Sequence, residues 1–392
     1  MRPNYDTARA DAGFTFSVSG SQAALRELTG TPIREFNLDP QACIDCYRRG
    51  RPLLREMFGD KVSLPGVSTP AISYGHVNGL GSELRFPEGG EVAQTHVCAS
   101  LEDGLAVLAE PVSWTETGWA PYFLGFLERL KDAFPEERVS WSWGGEGPIT
   151  TAYELRGEGF FLDVHDRPAM ARQFLSAINR SLLDFERAVA AVNERPVFGP
   201  SAGLCDDLAS FIRPALFAEI VLPAWEEYYT ARTDGMRTAH VEDLRAEQLP
   251  FLEDIGLGFF DPSISPRLTP QLVAAHCRVP FAWRLVNFHY AEMTVQDVED
   301  FVFQSCADGA SGVYSDIADG MCNEATVPKV EAFIRAAKEA QALLTAGCSR
   351  SEIAQRVSPA GRDKLWDAWC GYLGPRSSRG GARATAPADT QG

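Results

Sequence analysis

Apolar positions along the chain set the first expectation. From about residue 138 onward, short β-rich runs alternate with stretches whose apolar residues recur every three or four positions, the signature of repeated βα units and a parallel sheet. Arg138 to Trp143 reads as a strand. Arg167 to Val192 carries Met170, Phe174, Ile178, Leu182, Phe185 and Val189 on one face, which predicts a long helix. Pro196 to Phe198 follows as a strand, Ala215 to Thr230 as a helix, Arg237 to Glu242 as a strand, and a short helix ends near Gly256. The alternation continues with the strand Gly258 to Asp261, the helix Pro270 to His276 and the strand Val279 to Val286. Thr294-Val295-Gln296-Asp297 resembles a capping box and opens another helix. A final strand, Gly312 to Ser315, precedes a helix whose face holds Val330, Phe333, Ile334, Ala337, Gln341 and Leu344 and which Gly347 closes.

The first 137 residues are less regular and rich in Gly and Pro, with Tyr74 to Gly81 as their most loop-like stretch. If they supply two further units, the economical α/β architecture is a closed (β/α)8 TIM barrel with an irregular N-terminal extension. The expected division is residues 1–70 as an extension packed on the barrel, 71–374 as the barrel and 375–392 as a disordered tail. That last stretch holds no large apolar residue to bury.

Composition narrows the partners. The 392 residues are 45% hydrophobic and 23% charged, as in a soluble globular protein, and their net charge is −17. Such a surplus of acid argues against a nucleic-acid footprint or an anionic-membrane patch, both of which need clustered Lys and Arg. The chain has no apolar run of membrane-spanning length, and its polar start, Met1 to Asp6, is unlike a signal peptide. The cysteines are 9 in number and scattered, so we expect reduced thiols in a cytoplasm. Small molecules and proteins remain as partners.

Candidate chemistry gathers at the predicted strand ends. His240 and Glu242 flank Val241, and residues two apart on a strand face the same side. The next strand ends at Asp261, and the last is followed by Cys322. In a barrel these strand ends form the catalytic face. Zinc accepts those N, O and S donors at about 2.0 to 2.3 Å. The same residues also read as a hydrogen-bonded His240–Glu242 pair with Cys322 as a small buried side chain, and both readings stand at this point. Arg284, and His289 after it, lie near another strand end and are expected to contact substrate.

Several segments carry a resemblance to the uroporphyrinogen decarboxylase superfamily, closest in type to its zinc-dependent cobalamin and coenzyme M methyltransferases. Gly147-Pro148-Ile149-Thr150-Thr151-Ala152 resembles that family's Gly-Pro-Phe-Thr-x-Ala turn and helix. Asp206-Asp207-Leu208-Ala209, then Pro214 to Tyr229, is similar to its Asp-Asp loop and following helix, and Leu84 to Glu88 with Leu101-Glu102-Asp103 to its early acidic loop. The resemblance spans roughly residues 75 to 345. It implies that His240 is the first metal ligand, that Glu242 stands where a cysteine is usual, that Cys322 is the later cysteine and that Asp261 falls near an additional acidic ligand. A carboxylate in place of a thiolate makes such a site harder. The implied activity is transfer of a methyl group from a corrinoid or small-molecule donor to a thiol-type acceptor, with zinc as cofactor and any corrinoid carried on a separate protein. The Arg-Gln-Ala-Gly-Arg string of porphyrinogen decarboxylases does not occur here, which argues against that reaction.

Two alternatives remain open. One is a metal-independent decarboxylase or lyase of a small acid, with His240, Glu242 and Asp206 or Asp207 as acid and base. The other is a non-catalytic ligand-binding barrel. Weaker signals fall away: Cys43-Ile44-Asp45-Cys46 puts both thiols on one helix face, as core packing does. Gly199-Pro200-Ser201-Ala202-Gly203 lacks the helix that should follow a nucleophile elbow, and Gly144-Gly145-Glu146-Gly147 lacks the Lys of a phosphate loop. His76 and Asn78 sit in a glycine-rich stretch that could reach the barrel mouth, although an exposed loop is the commoner place for such a histidine.

Overall fold

The structure, a computed structural model, describes residues 2–263, 265 and 267–362. The expected tail, 375–392, lies outside the described residues, as does the end of the segment expected as barrel. Strands β1 (Thr15–Gly20), β2 (Leu84–Arg85), β3 (Ala93–Gln94), β4 (Gly199–Cys205), β5 (Thr233–His240), β6 (Leu257–Asp261), β7 (Ala282–Arg284) and β8 (Gly312–Ile317) alternate with helices in an α/β chain. β2 and β3 form a small antiparallel ribbon. The rest is parallel, in two sheets ordered β1-β8-β7 and β4-β5-β6.

Single parallel bridges extend these sheets. Phe260 pairs with Phe281 between β6 and β7, Ser19 with Ser63 beside β1, and Ser68 and Ile72 pair with Ser140 and Trp143. Among the described residues no ladder joins the 140–143 stretch to β4, so the parallel pairings do not close a ring. The expected closed barrel is therefore met only as a parallel α/β arrangement. β1 lies inside a sheet, between β8 and the Ser63 stretch.

The helices follow their apolar stripes. Pro168–Val192 begins on a proline, which loses no helical hydrogen bond at that position, and buries Phe174, Leu175, Ile178, Leu182 and Phe185. Val327–Thr345 buries Val330, Phe333, Ile334 and Ala337, and Thr294 caps Val295–Ala307 by accepting from the Asp297 amide. No helix among the described residues is long and apolar enough to cross a membrane.

Four elements differ from expectation for identifiable reasons. The single helix expected over 215–230 is split into Pro214–Leu216, a π-helical turn at Phe217–Val221 and Leu222–Thr230. Pro223 has no N–H to continue the ladder, and the wider turn absorbs the break. Pro196 to Phe198 is not a strand; β4 starts one residue later, at Gly199. The Arg138 to Trp143 stretch keeps only two bridges, while its Trp141 and Trp143 rings are buried and stack at 6.0 Å. Tyr74 to Gly81 contains a short helix, Gly75–Gly79, in which His76 and Asn78 are buried rather than looped out. Asn78 accounts for this, accepting from the Trp119 amide and donating to the Ser82 carbonyl.

Candidate active site

Because the strands are parallel, their C-terminal ends share one side, and neighbouring residues in register point the same way. Cys205 on β4 pairs with His240 on β5, and His240 pairs with Asp261 on β6, so one row across three strands carries a thiol, an imidazole and a carboxylate. β5 ends at His240, and Glu242 lies just beyond it, before a left-handed turn at Asp243. The Glu242 amide donates to Asp207 Oδ1 at 2.9 Å, which brings that carboxylate to the end of β5.

His240 is the hub. Its Nδ1 lies 2.8 Å from Asp261 Oδ2, and its Nε2 faces Asp207 Oδ1 at 3.8 Å and Glu242 Oε1 at 3.9 Å. Asp261 is itself fixed by the Tyr314 hydroxyl, which donates to both carboxylate oxygens, and by the Ser263 amide. The hydrogen bond to Asp261 assigns the Nδ1–H tautomer and leaves Nε2 as the reactive nitrogen. Burial pulls the proton affinity of His240 down. The hydrogen bond and charge of Asp261, with Asp207 and Glu242 behind them, outweigh burial and hold its pKa above the ordinary histidine value. Asp261 shows the converse: burial raises it, but His240, Tyr314 and the Ser263 amide carry it below the usual carboxylate range. Burial and then Asp207 push Glu242 up, against a hydrogen bond from Ser263.

Arg284 belongs to the same network. It donates to Ser263 Oγ and to Asp316 Oδ2, both at 3.2 Å, and its guanidinium lies 5.6 Å from the centre of the Tyr314 ring. Ser19 at the end of β1 donates to the other Asp316 oxygen at 2.6 Å. Polar side chains from β1, β5, β6, β7 and β8 thus meet on one side of the sheets.

The remaining candidates lie elsewhere. Cys322 follows β8 on a turn whose Gly320 and Cys322 amides donate to Glu27, and its thiol points to the Ala24 carbonyl at 3.7 Å. Burial and then Glu27 push that thiol up to about 12. The thiol that the fold aligns with His240 is Cys205, whose pKa partial enclosure and then the charges of Glu146, Asp207 and Asp261 raise to about 12. Asp206 is fully buried. Its carboxylate accepts from the Ile149 and Thr150 amides at the start of the helix Pro148–Arg156 and from Trp225 Nε1, so it anchors that helix. Gly147 makes this anchor possible, because a Cβ there would lie 2.5 Å from the Asp206 Cβ. His289 is buried and accepts from the Val286 amide at the start of its own helix, Asn287–Glu292.

The donor set expected for zinc is divided by this arrangement: Asp261 is engaged by Nδ1 and Cys322 is at Glu27. Among the described residues no group of three or more His, Cys, Asp or Glu side chains is placed to hold a metal ion.

A cavity of about 460 Å³ adjoins the His240 cluster through Asp207 and is also lined by Glu91, Glu146, Glu154 and Tyr74. Burial, then Asp207 and Asp206, raise Glu146 to about 7 against a hydrogen bond from Ser73. Sequence reasoning missed Glu146, Glu154, Tyr314 and Cys205. Tyr314 was legible as a residue on β8, and Cys205 as the neighbour of Asp206, but nothing in the local pattern marks the two glutamates as enclosed.

Comparison with known proteins adds the fold. No family model and no curated protein matches the chain. Among solved structures, a methyltransferase from Methanosarcina mazei is similar, with a TM-score of 0.59 and 16% sequence identity over 85% of this chain and 96% of that one. At that identity the likeness establishes that the chain shares the fold of that methyltransferase.

Proposed function

We propose that the chain is an enzyme of the uroporphyrinogen-decarboxylase type, built on a (β/α)8 barrel, that transfers a methyl group to a thiol-type acceptor beside His240. Eight parallel stretches support the barrel: β1, the residues around 63–72, those at 140–143, and β4 to β8, which follow one another around the sheets in chain order. The fold shared with the methyltransferase supports the class of reaction.

One observation carries the reading: His240 is held by Asp261 at Nδ1 while Nε2 lies 3.8 Å from Asp207, which lines the cavity. In the proposed step the acceptor's S–H proton moves to His240 Nε2 and sulfur attacks the methyl carbon in line. The new S–C bond forms as the old bond to the methyl breaks, and its electron pair leaves with the donor. Asp261, Asp207 and Glu242 stabilise the imidazolium that results. The residues present do not fit the expected zinc set, so no step is assigned to a metal.

The cavity is of the size that accepts small molecules, which favours a small methylated donor over a corrinoid carried by another protein. Its acidic lining opposes a carboxylate substrate, which sets the decarboxylase reading behind methyl transfer. The test is to incubate the purified full chain with ¹³C-methyl ammonium and sulfonium compounds, or methylcobalamin, and a panel of thiols, and to read the products by NMR. A labelled thioether supports the reading. Absence of product with every pair of donor and acceptor overturns it.

A further inference from the structure

We propose that the cavity beside His240 binds a small organic cation of the ammonium or sulfonium class, held by Glu154, Glu146 and Asp207. The inference deepens the methyl-transfer reading, on which it rests for its link to catalysis.

Glu154 is the decisive residue. It lies on the helix Pro148–Arg156, 4% exposed, at a position where its neighbours Ala152 and Leu155 are core. Its Oε2 is enclosed and has no hydrogen-bond partner among the described residues, yet the residue lines the cavity. A buried carboxyl oxygen without a partner is costly to keep, and a cation bound beside it would offset that cost through its charge. Thr150, one helical turn earlier, lines the same cavity, so that face of the helix is turned to it.

The other walls select the ligand. Glu91, Glu146 and Asp207 add acids, while the lining cation Arg26 is paired with Asp319 at 3.4 Å. Among the described residues no unpaired cation lines the cavity to receive an anion. A hydrated metal ion would meet apolar wall from Ile33, Phe36, Ile72 and Val92. An organic cation suits both halves, its methyl groups against the apolar and aromatic wall and its charge toward the acids. Burial raises both Glu146 and Glu154, so in the empty cavity protons offset the negative charge that a bound cation would balance. A donor of this class also leaves as a neutral molecule once its methyl is removed.

The experiment is calorimetric titration of the full chain with tetramethylammonium, with trimethylsulfonium and with neutral tert-butanol. At least one cation is expected to bind tenfold or more tightly than tert-butanol, and the tighter of the two names the donor class. Glu154→Gln and Glu146→Gln, each checked for an unchanged melting temperature, should weaken it at least tenfold, and the exposed Glu128→Gln should not. Equal affinity for tert-butanol, no saturable binding of either cation, or unchanged binding in both glutamine variants overturns the proposal. Competition by magnesium alone at similar concentration overturns it as well. Cation binding without methyl transfer would leave the site standing and remove the reaction, whereas transfer from methylcobalamin without cation binding would do the reverse.

Discussion

Replacing Asp261 by Asn tests whether the hub is built as described. The carboxylate accepts from His240 Nδ1 at 2.8 Å, from Tyr314 and from the Ser263 amide, so the amide keeps the shape and removes the charge. A hydrogen bond to a charged group contributes about 1.5–3 kcal/mol. At about 1.4 kcal/mol per tenfold, its loss lowers the proton affinity of His240 by roughly tenfold to a hundredfold. Asp207 and Glu242, near Nε2, remain and keep the change at the lower end. The assay is titration of the His240 ring proton by NMR in the wild type and in Asp261→Asn. The wild-type midpoint should lie above the ordinary histidine value and the variant's should fall. In the pH–rate profile of methyl transfer, the limb that reports His240 losing its proton should move to lower pH by the same amount. An unchanged or higher midpoint in the variant would refute the argument, because burial alone would then govern His240.

Three further outcomes follow from other parts of the molecule. Asp206→Ala leaves two helix-start amides and Trp225 Nε1 without their buried acceptor, at about 1–3 kcal/mol each, so urea denaturation should show a loss of several kcal/mol; a change below 1 kcal/mol would contradict the anchoring role. Burial, then Arg232, lowers His76 to about 3, against 6.5 when unfolded, so the unfolded chain binds the extra proton between those values and stability falls as pH drops through that window. The stability difference between wild type and His76→Gln should therefore shrink by about 1.4 kcal/mol per pH unit below 6.5, and a pH-independent difference would count against it. Cys322→Ser should leave methyl transfer within threefold of wild type, because its thiol faces the Ala24 carbonyl rather than His240, and a loss of tenfold or more would restore it to the site.

How much of this could be read from the chain depends on where each signal lives. The helix Pro270–His276 and the Thr294 cap were legible because an apolar period and a cap side chain are local. His240 and Asp261 were legible as strand ends, and parallel register then places them side by side. Cys322 was read beside the other candidates because it follows the last strand end, while the turn at Gly320 directs it to Glu27. The first 137 residues hid their part because Ser63 and Ser68 join the sheets through single bridges, which leave no alternating run. Glu146 and Glu154 look like solvated acids in sequence, and only tertiary packing encloses them. His76 read as a loop residue because its burial depends on distant partners, among them Ser181 at 2.9 Å and the ring of Trp114 at 5.3 Å.

In the proposed methyl transfer His240 is the group that moves the proton. The most direct measurement compares the rate of ¹³C-methyl transfer at saturating donor in wild type and in His240→Ala, alongside tetramethylammonium binding to both. Loss of a positioned acid–base group costs about a hundredfold or more, so the account predicts at least that fall in rate with cation binding preserved. A His240→Ala rate within threefold of wild type would contradict it.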